Sequence, residues 1–181
     1  FLLSLNGPIV GFTGALGTAT DIELLIAVAR GLPNVHFVFL GTVDRTVSIW
    51  ELEGLENVHI IGLIDHADLP RWLVGFDVGL MPYRINLFQN YTFPSKLAEY
   101  LSFDLPIVAT PLPELMPYAD VVSTSSDAAE MIVAIKGAIC SVANADSSLT
   151  RRRAEIVGSL TWESIDQKAI GEIDKFLNYN D

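Results

Sequence analysis

Cysteine is nearly missing: Cys140 is the single one among 181 residues. An intrachain disulfide is therefore impossible, and so is a cysteine-rich metal cluster; a reducing compartment such as the cytoplasm is the expected setting. Basic residues are scarce as well. Lysine and arginine number 11 against 22 aspartates and glutamates, a formal charge of −11. So acidic a chain repels phosphate backbones, which excludes DNA and RNA polymers as bulk partners. Every apolar stretch is broken by Gly, Pro, Asp or Arg before it reaches 18 residues, so no transmembrane span is expected. A secretory leader is not expected either, because Phe1–Leu5 carries no basic n-region. The chain opens on Phe1 instead of methionine, and we take it to be part of a longer protein.

What is present is apolar. Half the residues are hydrophobic and only 18% are charged, which rules out intrinsic disorder and gives a core that needs no staples. Short apolar runs alternate with longer amphipathic ones. Strands are expected at 8–13, 36–40, 58–61, 78–81, 107–109 and 121–123. Helices are expected at 21–30, 47–52, 68–74, 94–102, 127–140, 149–160 and 162–177. Asp21 or Thr20 suits the first helix's N-cap and Gly31 its end. This alternation predicts an α/β fold, a Rossmann-like parallel sheet of about six strands between two helical layers, in a single domain spanning 1–181. Parallel sheets of this kind bind ligands beyond the carboxyl ends of their strands, so loops 13–20, 41–46, 62–68, 82–93 and 110–118 are the ones to inspect.

Two segments stand out. Gly11-Phe12-Thr13-Gly14-Ala15-Leu16-Gly17 joins a strand to a helix. Its glycines let the backbone approach a phosphate at a helix N-terminus, or simply make a tight turn. The second is Met81–Tyr100. Its connection from Pro82 to Phe93 is 12 residues long and carries one charge, Arg84; connections of that length are usually functional. Between Thr46 and Ile135 the basic residues are Arg71, Arg84 and Lys96, so two of three gather around one loop and one helix start. An anion such as a diphosphate suits that place: Arg84 offers a planar fork and Lys96 a point charge. Glu99, three residues after Lys96, can accept hydrogen bonds from vicinal hydroxyls, or the two can form an ordinary helix-surface pair. Among the histidines, His36 and His59 open strands and read as packing residues. His66 lies beside Asp65 and Asp68 in no recognisable metal spacing. Arg151-Arg152-Arg153 reads as a solvated face balanced by Glu155, with anionic lipid the other use for such a run.

Phe93-Pro94-Ser95-Lys96-Leu97-Ala98-Glu99-Tyr100-Leu101, followed by Leu105–Thr110, resembles the P-x-K-x-x-E-Y-L helix and next strand of retaining GT-B glycosyltransferases of the group 1 type. Gly11–Gly14 with Asp21–Leu25, and Val58–Leu63 with Leu69–Leu80, resemble other parts of the same C-terminal, donor-binding half. The resemblance runs from about Pro8 to about Leu177. It implies a Rossmann-like half of a GT-B enzyme that transfers sugar from a nucleotide diphosphate sugar. Glu99 would hold the ribose. Lys96 and N–H groups near Leu97 would hold the diphosphate, with Arg84 helping. Backbone around Leu63 would meet the base, and Thr13 and Gly14 would line the phosphate side. The donor, a UDP or GDP sugar, is the expected small-molecule partner, with no separate cofactor. No D-x-D pair occurs, so no metal site is expected and protein groups must stabilise the leaving diphosphate. The acceptor-binding N-terminal domain would lie outside this chain, which by itself would bind nucleotide weakly and turn over nothing. The expected location is cytoplasmic, with contact at a membrane surface open.

Three departures from that pattern are visible. Tyr91 stands eight residues before Glu99, where many members carry an earlier carboxylate. Asp104 replaces a glycine, and Thr18, Ala19 and Thr20 stand where a basic pair is usual. Two other readings therefore remain at this level. Gly11-x-x-Gly14-x-x-Gly17 also resembles the fingerprint of NAD(P)-dependent short-chain oxidoreductases, with Asp44 for a ribose. That family's Tyr-x-x-x-Lys pair is not matched, since four residues separate Tyr91 from Lys96. A non-catalytic binding module of the same fold is the second alternative.

Overall fold

The computed structural model describes residues 1–87, 89–91, 95–143 and 147–161, with 163, 164, 166, 167 and 170 beyond them. Six parallel strands form one sheet: β1 (Ile9–Thr13), β2 (His36–Leu40), β3 (Val58–Gly62), β4 (Val78–Met81), β5 (Ile107–Ala109) and β6 (Val122–Thr124). Their order is β3-β2-β1-β4-β5-β6. The chain winds outward from β1 in one direction, then returns to start again at β4. β1, β2 and β4 read as unbroken apolar runs because helices cover both faces of the sheet. The helices are α1 (Ile22–Gly31), α2 (Trp50–Glu53), α3 (Leu69–Leu73), α4 (Lys96–Ser102), α5 (Ala128–Ala143) and α6 (Ser147–Ser159).

On one face, Leu24, Leu25 and Val28 of α1 and Met131 and Ile135 of α5 pack against Phe12, Phe37 and Phe39. On the other, Leu97, Tyr100 and Leu101 of α4, Leu73 of α3 and Ile156 of α6 pack against Val38, Ile107 and Ala109. The three-layer architecture expected from the alternation is the one observed. Asp21 caps α1, its Oδ1 accepting from the Leu24 N–H at 3.1 Å. Asn57 is buried among carbonyls: its Nδ2 lies 3.0 Å from the oxygens of Ala29, Leu32 and Val35 and ties the end of α1 to the start of β3.

Some boundaries differ from the sequence expectation. The helix expected over 47–52 is the single turn α2, shifted toward Gly54. Residues 113–118 form a 3-10 run, although they were expected to be loop. Of the helix expected over 162–177, all but a few residues lie outside the described ones, as do Phe93 and Pro94 of the 93–101 motif. The arginine run is not one solvated face. Arg151 and Arg152 are exposed, but Arg153 is buried and bonded to Asp104. Among the described residues, no single helix is long and apolar enough to cross a membrane.

His36 and His59 do more than fill space. Neighbours on β2 and β3, they place Nδ1 of His36 3.1 Å from Nε2 of His59, with the Phe1 ring edge-on to His59. Burial, and then the proximity of His36, hold the His59 pKa below its ordinary 6.5. The unfolded chain therefore binds a proton near pH 6.5 that the folded chain refuses, so stability falls as pH drops below that value. Thermal midpoints should decline from pH 7.5 to pH 5.5, and His59→Gln should flatten that part of the profile. An identical slope in the variant would remove His59 from the explanation.

Candidate functional site

The strand order reverses between β1 and β4, and there the two strands part. Their pairing covers Val10–Gly11 against Val78–Gly79 and goes no further. Beyond that point a side chain takes over. The Tyr100 hydroxyl, reaching across from α4, accepts from the Thr13 N–H at 2.9 Å and donates to the Leu80 carbonyl at 3.3 Å. The ring is fully buried, which pushes its pKa up and keeps the phenol protonated and able to donate. Gly79 makes this possible, because a Cβ at that position would stand 2.5 Å from the Tyr100 ring.

A cleft of about 330 Å³ opens at the carboxyl ends of β1, β2 and β3. Thr13, Gly14, Gly41, Leu63, His66 and Lys96 are among its lining residues. Its floor is a close backbone contact: a Cβ on Gly41 would lie 2.2 Å from the Gly14 carbonyl oxygen, and Gly41 adopts φ +145°. The Gly14 N–H is held by Leu40 and the Gly41 N–H by Gly62, each at 2.8 Å, so the three strand ends are laced together.

Lys96 and Glu99 meet here. Lys96 Nζ donates to Glu99 Oε1 at 2.9 Å, and the Thr13 hydroxyl donates to Glu99 Oε2 at 3.3 Å. Both charged side chains are about three-quarters buried, at 23% and 26% exposure, so the pair is not a solvated helix face, and Lys96 lines the cleft. Tyr83 stands nearby. Its own burial, then the Glu99 charge, pushes its pKa up to about 12, so it too stays neutral at physiological pH.

Thr13, Gly14, Leu63 and Lys96 thus line one cavity, and Glu99 touches two of them. The Leu97 side chain is fully buried in the core, so any ligand contact it makes goes through its backbone. Arg84 does not line the cleft. Its Nε donates to the Thr20 carbonyl at 3.2 Å and its backbone N–H to Ala19 at 2.8 Å. Those bonds, with Asp21 N–H on the Pro82 carbonyl, zip the loops after β1 and β4 together. Thr20 is itself buried, its hydroxyl on the Ala15 carbonyl, so the segment that lacks a basic pair serves as loop structure. Gly41 lines the cleft and Tyr100 braces it, and sequence reasoning singled out neither; His66, considered there only as a metal ligand, is a lining residue as well. The glycine after the second apolar run was the one available signal for Gly41. Among the described residues, no group of three His, Cys, Asp or Glu side chains is disposed to hold a metal ion.

A sheet ordered 3-2-1-4-5-6, with a cleft at its strand ends lined by a largely buried cation that a carboxylate pairs, defines a Rossmann-like α/β domain. A family model described as glycosyl transferases group 1 matches residues 7–143, and the chain belongs to that family. TuaH of Bacillus subtilis (strain 168), named as a teichuronic acid biosynthesis glycosyltransferase, is 32% identical over 110 residues, which cover 60% of this chain and 28% of TuaH. Among solved structures, Anabaena HepE in complex with UDP superimposes with a TM-score of 0.76 at 19% identity, over 94% of this chain and 49% of HepE. A TarM variant from S. aureus, also solved with UDP, gives 0.68 at 18% identity over 92% of this chain and 36% of TarM. The chain therefore spans about half of HepE and less of the other two, and its fold is Rossmann-like α/β of the GT-B glycosyltransferase type.

Proposed function

We propose that the cleft binds a nucleotide diphosphate sugar and that the whole protein transfers the sugar, with retention, to an acceptor held by a second domain. The observation that carries this is that Lys96 and Thr13 line one cavity at the end of β1 and both bond to Glu99. Glu99 is placed to accept from the ribose hydroxyls. Lys96, three-quarters buried and so little screened, is placed to hold the diphosphate and to stabilise the charge that develops on it as the sugar leaves. Leu63, exposed at the cleft's outer edge, offers its backbone to the base. Arg84 serves in this scheme by fixing the loops on either side of the switch point and supplies little of the diphosphate's countercharge. With Lys96 in that role the reaction needs no metal ion, and a single cysteine fits work in the cytoplasm.

UDP is the nucleotide we favour, since HepE and TarM were both solved with it. That this chain spans 49% of HepE supports a second domain facing the cleft. Glycosyl transfer by these 181 residues alone would contradict that division of labour. Thermal unfolding in the presence of UDP, GDP or NAD tests the donor assignment. At a hundredfold excess over its Kd a ligand stabilises the fold by about 2.7 kcal/mol. UDP is expected to raise the midpoint and NAD to leave it unmoved. The opposite pattern would restore the oxidoreductase reading. A midpoint unmoved by any of the three at millimolar concentration would leave a binding module without donor chemistry, a loss for which Tyr91, 83% exposed and without a carboxylate, is the obvious locus.

A further inference from the structure

Helix α4 bears Lys96 and Glu99, yet it is only seven residues long and its N-cap, Ser95, makes no side-chain capping bond. Helices that short are not stable by themselves. Its other end is where it is secured. The N–H groups of Phe103, Asp104 and Leu105 donate to the carbonyls of Tyr100, Leu101 and Tyr100, closing the last turn. Asp104 makes that turn with φ +55°, a left-handed conformation that a residue with a Cβ rarely adopts and for which glycine is the usual choice.

Three bonds from α6 hold it there. Arg153 Nη1 donates to the Asp104 carbonyl oxygen at 3.0 Å and to its Oδ1 at 2.7 Å, and the Thr150 hydroxyl donates to Oδ2 at 2.7 Å. Arg153 is 9% exposed, and its Nε is buried without a hydrogen-bond partner among the described residues. A guanidinium kept in that position leaves its Nε unpaired, a cost that an apolar side chain would not carry. Its geometry serves placement instead.

We propose that Asp104 and Arg153 form a positioning clamp through which α6 fixes the direction of α4, and with it the placement of Lys96 and Glu99 against Thr13. Neither residue touches the cleft; both act through the helix. The link to ligand binding rests on the nucleotide-binding role proposed above, while the clamp itself does not.

The test uses Asp104→Gly, Arg153→Met and Arg153→Lys in the intact chain, with amide hydrogen exchange and UDP titration as readouts. Glycine accepts the left-handed turn without strain, so Asp104→Gly should keep a thermal midpoint close to the parent's. It should nonetheless speed exchange at residues 99–102 by about tenfold, while α1 stays protected. UDP affinity should fall by about three- to tenfold in the same variant, the usual size of a coupling carried through a secondary element. Arg153→Met should match it in both readouts if it folds, and Arg153→Lys should recover part of each. Unchanged exchange across α4 in Asp104→Gly would overturn the clamp, whether or not UDP binds. Faster exchange with unaltered UDP affinity would overturn its link to the site. A parent chain that binds no UDP at millimolar concentration would refute the nucleotide assignment, and the exchange data would then decide the clamp alone.

Discussion

Lys96→Ala is expected to weaken UDP binding by about five- to 150-fold, the result of losing about 1–3 kcal/mol of charge-assisted hydrogen bonding. The chain's acidity makes this lysine hard to replace. Between Thr46 and Ile135 the other basic residues are Arg71 and Arg84. Arg71 is exposed and pairs with Asp68, and Arg84 is hooked to the Thr20 carbonyl. Among the described residues, no other lysine or arginine lines the cleft. Removing Lys96 also leaves Glu99 three-quarters buried without its partner, so its negative charge would face the incoming diphosphate directly. Arg84→Ala should cost much less, because its side chain lies outside the lining. Isothermal titration of both variants separates the two positions. Equal losses would mean that Arg84 reaches the phosphates after all, and no loss in Lys96→Ala would move the diphosphate elsewhere.

Tyr100→Phe should destabilise the fold by about 1–3 kcal/mol, although it removes a single oxygen and keeps the ring. That oxygen sits where β1 and β4 part. Without it, the Thr13 N–H loses its partner and the Leu80 carbonyl loses a donor, both in a buried setting. For a chain of this length that corresponds to a fall of several degrees, about 2–4 °C per kcal/mol, in the thermal midpoint. Urea unfolding with an unchanged slope and a lower midpoint would locate the loss in the native state. An unchanged midpoint would mean that water replaces the hydroxyl and that the strand ends need no bridge. Thr13 also donates to Glu99, so the same substitution should loosen the cleft.

The two predictions draw on information of different kinds. Lys96 and Glu99 were legible in the sequence because spacing on a helix and scarcity of positive charge are one-dimensional facts. The strands were legible for a similar reason: burial on both faces of a parallel sheet writes itself as continuous apolar runs such as His36–Leu40. Tyr100 is legible only as part of a motif, because a tyrosine on the apolar face of a helix looks like core. Its hydroxyl acquires a role only when a strand pair diverges 20 residues away. Gly41 and Gly79 were likewise silent, since a glycine does not announce what approaches it. Arg84 was placed near the anion by counting charges, and counting gives no direction; the backbone zip with Ala19 and Thr20 turns it aside. Arg153 was hidden inside a run of three arginines. Its partner Asp104 lies 49 residues away, and the departure from glycine there makes structural sense only once both are seen together.

A crystal structure of this chain soaked with millimolar UDP bears most directly on the donor site. The diphosphate should lie within hydrogen-bond reach of Lys96 Nζ, the ribose hydroxyls on Glu99, and the uracil beside the backbone at Leu63, with Thr13 and Gly14 along the phosphates. UDP bound at any other surface, or an empty cleft in a crystal that leaves it open to solvent, would contradict the assignment.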